Sequence, residues 1–280
     1  ITLGGNDSQK QSLLPKIVEG NLTTALALEE SSRHSPFSIS TQAKKNGDNY
    51  EITGEKTFVI DGNSASLLIV AARTDGNVDD ESGITLFLVD PSADGLEITK
   101  TSMVDSRNSA QIKFNNVVVS SSETLGELNN GSGLLENVLD RAQIAISAEM
   151  LGNASQAFDI TLEYLKERKQ FGAVIGTFQA LQHRAAEMYS ELELTKSSVI
   201  AACNAVDDNS NDLKRMASLA KFKAGETNHL VTNEAVQMHG GVGVTDEYDV
   251  GLYLKRARVT EQIFGNSEYH IDRYATLSDY

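Results

Sequence analysis

The sequence predicts an α+β protein, an antiparallel β sandwich or small barrel followed by an antiparallel helical bundle. Three observations carry that expectation. Between Leu22 and Ser120, short apolar or alternating runs are separated by Asn-Gly and Asp-Gly turns, with no helical period between them. After the glycine-rich stretch Gly126–Gly133, apolar residues recur at three- and four-residue spacing instead. A chain of 280 residues, 40% hydrophobic and with only 3 prolines, is long enough for two such domains with buried cores.

The strands are expected over Thr24–Leu28, Tyr50–Thr53, Leu67–Ala72, Ile84–Val89, Leu96–Lys100 and Gln111–Val119. Turn clusters at Asn46–Asn49, Asp61–Asn63, Asp75–Asn77 and Asp90–Gly95 divide them, where Gly and Asn accept the positive φ of tight hairpins. In the second half, Leu135, Val138, Leu139, Ala142, Ala145, Leu151, Ala154, Phe158, Leu162 and Leu165 lie near one helical face. A helix of about 30 residues suits a bundle. Phe178–Val206 is a second helix, Asp207–Asp212 a polar break, and Leu213–His239 a third helix stopped by Gly240, Gly241 and Gly243. Shorter helices are expected over Glu247–Val259 and Ser267–Leu277. The β domain is thus assigned to residues 22–125 and the bundle to 126–280.

Charge and composition narrow the function. With 24 basic and 39 acidic side chains the net charge is −15, which argues against nonspecific nucleic-acid binding and against an anionic-membrane anchor. The longest apolar run, Leu67–Ala72, falls far short of the roughly 20 residues that span a bilayer. Cys203 is the only cysteine, so no intrachain disulfide or thiolate metal cluster exists, and a reducing, cytoplasmic setting is expected. On its apolar helix stretch Cys203 reads as a core residue. The 5 histidines show no metal-ligand spacing: His239 and His270 are isolated, His34 is in a loop, and each reads as structural, so no metal site is expected. The opening carries no signal-peptide pattern and reads as the interior of a longer chain.

Two clusters look chemical. Glu167-Arg168-Lys169-Gln170-Phe171-Gly172 closes the first long helix, and Phe178-Gln179 opens the next. One reading is a helix end with basic residues against its dipole and a glycine stop. The other is a phosphate site, with Arg168 as a fork for a diphosphate beside the Phe171 ring and the amides of Gln170 and Gln179. The second cluster is Gln237-Met238-His239-Gly240-Gly241-Val242-Gly243. Its glycines either end the helix or let a ligand approach backbone N–H groups. It is no dinucleotide fingerprint, because Asp246 stands where the last glycine of GxGxxG belongs and a helix, not a strand, precedes it.

ERKQFGAVIGTFQALQHRAAEM and EAVQMHGGVGVTDEYDVGLYLKRA together resemble the two C-terminal signatures of the acyl-CoA dehydrogenase family. NYEITGEKTFVIDG and FNNVVV before LGELNNGSG agree in order and spacing. Within the family, Ser32-Arg33-His34, FVIDG and IFGNSEYH are most similar to the small subunit of pimeloyl-CoA-type dehydrogenases. The resemblance implies a flavoprotein with an N-terminal helical domain, a middle β domain and a C-terminal four-helix bundle. Residues 1–21 then form the end of an N-terminal domain that is otherwise missing. It implies FAD held with the help of a neighbouring subunit, Arg168, Phe171, Gln179, Gln237 and Gly241 falling on the family's cofactor contacts. It further implies fatty-acid metabolism, in which an acyl-CoA is oxidised to the 2,3-enoyl-CoA. A carboxylate takes the α-proton and hydride moves from the β-carbon to the flavin. An electron-transfer flavoprotein or similar acceptor and a homo- or hetero-oligomer, dimer or tetramer, are the implied partners.

The chain also departs from the family's pattern. The usual glutamate base aligns with Phe264, and the alternative position in the first bundle helix aligns with Ala142. The W-I-T motif is Phe58-Val59-Ile60, which keeps an aromatic for flavin stacking in Phe58 but loses the threonine hydroxyl at Ile60. The L-T-E-P run is Ala27-Leu28-Glu29-Glu30. The catalytic base is therefore unassigned. Asp140, Glu149 and Glu261 lie in the right segments, each reading first as a solvated or ion-paired helix carboxylate, with Glu261 nearest to Phe264. Three functions stay open: a dehydrogenase with an unusual base or as half of a mixed oligomer, a noncatalytic flavin-binding subunit, and a flavin monooxygenase.

Overall fold

A computed structural model describes residues 1–280, which divide into two units, Ile1–Val138 and Leu139–Tyr280. In the first unit, helix α1 (Asp7–Val18) starts behind a capping box in which the Asn6 side chain accepts from the Gln9 N–H and the Gln9 side chain returns to the Asn6 backbone. Eight strands follow: β1 (Thr24–Ala27), β2 (Gln42–Asn46), β3 (Asn49–Ile60), β4 (Leu67–Arg73), β5 (Ile84–Val89), β6 (Leu96–Ser102), β7 (Asn108–Ser120) and β8 (Thr124–Leu125). They form one sheet in the order β6-β7-β3-β2-β4-β5-β8, with β1 on β4.

Most neighbours are antiparallel, but β1 runs parallel to β4 from Thr24↔Leu67 to Ala27↔Val70, and β2 meets β4 in parallel at Gln42↔Arg73. The sheet is thus antiparallel-rich, as expected, with parallel pairings at β1–β4 and β2–β4. The β2–β3 hairpin and its flanking loops give the long crossover that a parallel pair needs. Strand β2 escapes pattern reading because Gln42-Ala43-Lys44-Lys45-Asn46 carries one apolar residue, and its pairing with β3 holds it instead. The sheet encloses an apolar core of Ile52, Val70, Ala72, Phe87, Ile112, Phe114 and Val117. All six residues of β5 are buried, as expected of a strand covered on both faces.

Helix α2 (Gly131–Glu167) begins in the first unit and runs into the second. The second unit continues with a short hairpin, β9 (Lys169–Gln170) and β10 (Ala173–Val174), then α3 (Gln179–Asp207), α4 (Leu213–His239), α5 (Val250–Gln262) and α6 (Ser267–Thr276). Its core joins Ala154, Ala157 and Phe158 of α2 to Met188 and Leu192 of α3 and to Val231 and Ala235 of α4. Thr227 and Asn228 of α4 are buried and paired: Thr195 Oγ1 bonds Thr227 Oγ1 at 2.7 Å, and Asn153 Nδ2 donates to Asn228 Oδ1 at 2.8 Å. Cys203 is exposed, which corrects its reading as core. Val199, Ala202 and Ala205 mark the buried stripe of α3, and position 203 falls off it. No helix is long and apolar enough to cross a membrane.

Candidate functional site

Helix α2 ends in a hairpin that presents Phe171. Phe171 and Gly172 take φ values of 56° and 78°, the two positive values of a tight hairpin turn between Gln170 and Ala173. The Phe171 ring is 91% exposed and meets only Phe178 edge-on, with ring centroids 6.3 Å apart. The Ile175 N–H donates to the Arg168 carbonyl at 2.9 Å, so the hairpin folds back and brings Arg168 and Gln170 to the start of α3, where Gln179 stands. Arg168, Gln170 and Gln179 are exposed, and their side chains bond nothing within the chain. An exposed guanidinium and two amides beside an exposed aromatic ring leave every polar group of the corner available to a ligand.

The glycine cluster lies in the same unit. At the end of α4, Gly240 adopts φ 64° and ψ −143°, a conformation that a side chain opposes, and the chain enters a 3-10 turn over Gly240–Val244. Around Gly241 nothing lies within 4 Å of where a side chain would start, so its backbone is open to close approach, and Gln237 is exposed on the last turn of α4. Beneath them His239 is 3% exposed, its Nδ1–H donating to the Ala235 carbonyl at 2.7 Å. Burial holds its pKa below the usual histidine value, against the opposing hydrogen bond to Ala235.

Tyr164 links the two clusters. Its ring stacks on His239 at 4.2 Å, its hydroxyl donates to the His239 carbonyl at 3.2 Å, and its own carbonyl accepts from the Arg168 N–H at 2.9 Å. Sequence reading missed this residue. Its one signal was position, four residues before Arg168 in the last turn of α2.

Phe58 lies in the first unit, on a β-bulge of β3. Lys56 faces Ile112 and Val59 faces Ala110, so three steps on β3 match two on β7. The extra residue reverses the alternation: Lys56 and Val59 are both buried, and Phe58, at φ 50°, is left half-exposed instead of turned into the core. The bulge is anchored where the Thr57 N–H donates to the Glu29 carbonyl at 2.8 Å. Next to it the wholly buried Lys56 ammonium donates to the Leu28 carbonyl at 3.0 Å and to Glu30 at 2.7 Å. Burial alone would raise the Glu30 carboxyl, but the Lys56 charge, aided by hydrogen bonds from Lys56, Ser40 and Thr41, outweighs it and holds the pKa at about 2. Complete burial pulls Lys56 down to about 8 against the attraction of Glu30.

No acid stands at either base position, since these are Phe264 and Ala142. The three nearby carboxylates are all paired. Asp140 meets Arg273 at 2.7 Å, Glu149 meets Arg256 at 2.6 Å, and Glu261 lies 3.6 Å from both Arg258 and His229.

Comparison with known proteins identifies the family of the chain. The family model described as acyl-CoA dehydrogenase, middle domain, matches residues 25–117, and the one described as acyl-CoA dehydrogenase, C-terminal domain, matches residues 129–276. The short/branched chain specific acyl-CoA dehydrogenase, mitochondrial, of Bos taurus is 32% identical over 274 residues, covering 97% of this chain. This chain spans 63% of that relative, less than two thirds of its length. The caffeyl-CoA reductase-Etf complex subunit CarC of Acetobacterium woodii is 33% identical over 273 residues, 96% of this chain and 71% of the relative. The crystal structure of an acyl-CoA dehydrogenase from Geobacillus kaustophilus, 30% identical, superposes with a TM-score of 0.95 over 100% of this chain and 75% of its own. The chain belongs to the acyl-CoA dehydrogenase family.

Proposed function

We propose that the chain serves in the FAD-dependent oxidation of an acyl-CoA thioester to the 2,3-enoyl-CoA, as the FAD-contacting half of a mixed oligomer whose partner chain supplies the proton-accepting carboxylate. One observation carries the reading: Phe264 and Ala142 hold no acid, while Asp140, Glu149 and Glu261 are committed to Arg273, Arg256, and Arg258 with His229. A general base needs a carboxylate that can take a proton, and an ion-paired one resists it.

Members of the family are FAD flavoproteins, and the residues present fit that group. Arg168 offers a fork for the diphosphate, and Gln170, Gln179 and Gln237 offer exposed amides. Phe171 and Phe58 offer aromatic surface, and Gly241 an open backbone. When bound, FAD supplies the hydride acceptor. The chain's own part is to bind and orient it.

The electron acceptor we infer is a flavoprotein of the Etf kind, because the related subunit CarC is named for an Etf complex. We place the reaction in the cytoplasm and in fatty-acid metabolism, the former from the lone, exposed Cys203.

Anaerobic addition of a panel of acyl-CoAs to the FAD-loaded chain, alone and co-purified with its partner, tests the reading. The flavin band is expected to persist in the chain alone and to bleach in the mixed oligomer. Bleaching by the chain alone overturns the mixed-oligomer reading. Oxygen consumption by reduced flavin instead favours the monooxygenase alternative.

A further inference from the structure

Strands β2 and β4 pair at a single position, Gln42↔Arg73. Beyond Gln42 one edge of β2 has no strand beside it, and the space there is a cleft of about 470 Å³. Its walls are β2, the turn after β4 and the Leu128–Asn129 segment. That is the size of a small-molecule pocket. The whole cleft belongs to the first unit, and none of the residues aligned with the cofactor lines it.

Its charge opposes that of the chain. In a protein of net charge −15, Lys44, Lys45 and Arg73 line the cleft against one carboxylate, Asp75. Arg73 is 5% exposed, and no carboxylate answers its charge: Nε donates to the Ile39 carbonyl at 2.9 Å, and the terminal nitrogens donate to further carbonyls, that of Val78 at 2.8 Å. Lys44 and Lys45 are exposed and form no ion pair within the chain. Glu51 faces Lys44 across the β2–β3 ladder but is engaged by the Asn46 amide at 2.6 Å. Two positive charges are left over, and a cleft lined by one sign of charge concentrates ligands of the other.

The rest of the lining narrows the ligand. Asn129 Oδ1 accepts from the Thr74 hydroxyl at 2.6 Å, which leaves the Asn129 Nδ2 donor unbonded in the cleft wall. Tyr50 and the 46% exposed Leu128 add apolar surface. A phosphate monoester carries about two negative charges near neutral pH, which matches the surplus. The apolar wall has no use for a bare phosphate ion. We propose that this cleft is a second ligand site, which takes a phosphorylated small molecule with its phosphate on Lys44 and Lys45 and its organic part against Tyr50 and Leu128. This goes beyond the oxidation reading and does not depend on it.

Calorimetry on the FAD-loaded full chain tests the proposal, because bound FAD keeps a nucleotide probe out of the cofactor site. AMP is expected to bind, inorganic phosphate to bind about tenfold more weakly, and adenosine not to bind. Both lysines are exposed, so the double variant Lys44→Met, Lys45→Met is expected to keep its melting temperature and flavin content while its AMP affinity falls about tenfold. Absence of AMP binding, or an AMP affinity unaltered in the double variant, overturns the proposal. Inorganic phosphate bound as tightly as AMP overturns it too, leaving an adventitious ion only. Each of these outcomes leaves the oxidation reading standing.

Discussion

Asp140 and Arg273 meet at 2.7 Å within the helical unit, and Asp140 is only 2% exposed. Arg273 also donates to Gln143 Oε1 at 3.2 Å and to Ser218 Oγ at 3.1 Å, so the carboxylate two residues before Ala142 is built into a buried network. Breaking a buried pair strands the remaining charge. Asp140→Asn is therefore expected to destabilise the protein by about 3 kcal/mol in urea unfolding, with FAD affinity unchanged. An unaltered midpoint would deny the pair its structural role.

The corner around Phe171 makes the opposite prediction. Arg168 and Phe171 are exposed and support no packing. Arg168→Ala and Phe171→Ala are expected to leave stability within ~0.5 kcal/mol. Each should weaken FAD binding by tenfold or more, ~1.4 kcal/mol, measured by fluorescence titration. Full FAD affinity in both variants would remove the corner from the cofactor site.

In the β unit, Glu30 sits at about 2, below its ordinary 4.5, because Lys56 stabilises its charge against burial. A depressed carboxyl contributes stability that is complete above pH 4.5 and is lost as the pH falls from 4.5 toward 2. Lys56→Met should flatten that acid limb and cost about 3 kcal/mol near neutrality, since it leaves Glu30 without its cation. Thermal melts of both proteins from pH 7 to 3 check the slope and the offset together.

Lys221 behaves differently. Burial lowers it to about 7 from 10.5, with the Glu261 charge pulling the other way. Between pH 7 and 10.5 the unfolded chain binds more protons than the folded one, so stability rises with pH across that window. Below pH 7 both states are charged and the burial penalty is complete. The wild-type protein should gain stability relative to Lys221→Met between pH 7 and 9, and parallel profiles would contradict this.

Elements whose ends are marked by local chemistry were legible. Helix α4 spans Leu213–His239 as the polar break before it and the glycines after it indicate. Strands β4 and β5 follow their apolar runs to within a residue. Features set by distant partners were not legible. The bulge that turns Phe58 outward depends on register with β7, and the Tyr164–His239 stack joins residues 75 apart in sequence. The same limit applies to the acids: Asp140 and Glu149 are paired with arginines more than 100 residues away, which no local pattern records.

On the function proposed above, this chain binds FAD and an acyl-CoA while the partner chain supplies the group that takes the α-proton. Proton exchange tests it without requiring electron transfer. The FAD-loaded chain, incubated with an acyl-CoA in D2O and followed by NMR, is expected to leave the α-carbon protons unexchanged, and exchange should begin when the partner chain is added. Rapid α-deuteration by the chain alone would contradict the claim and point to a base among its own residues.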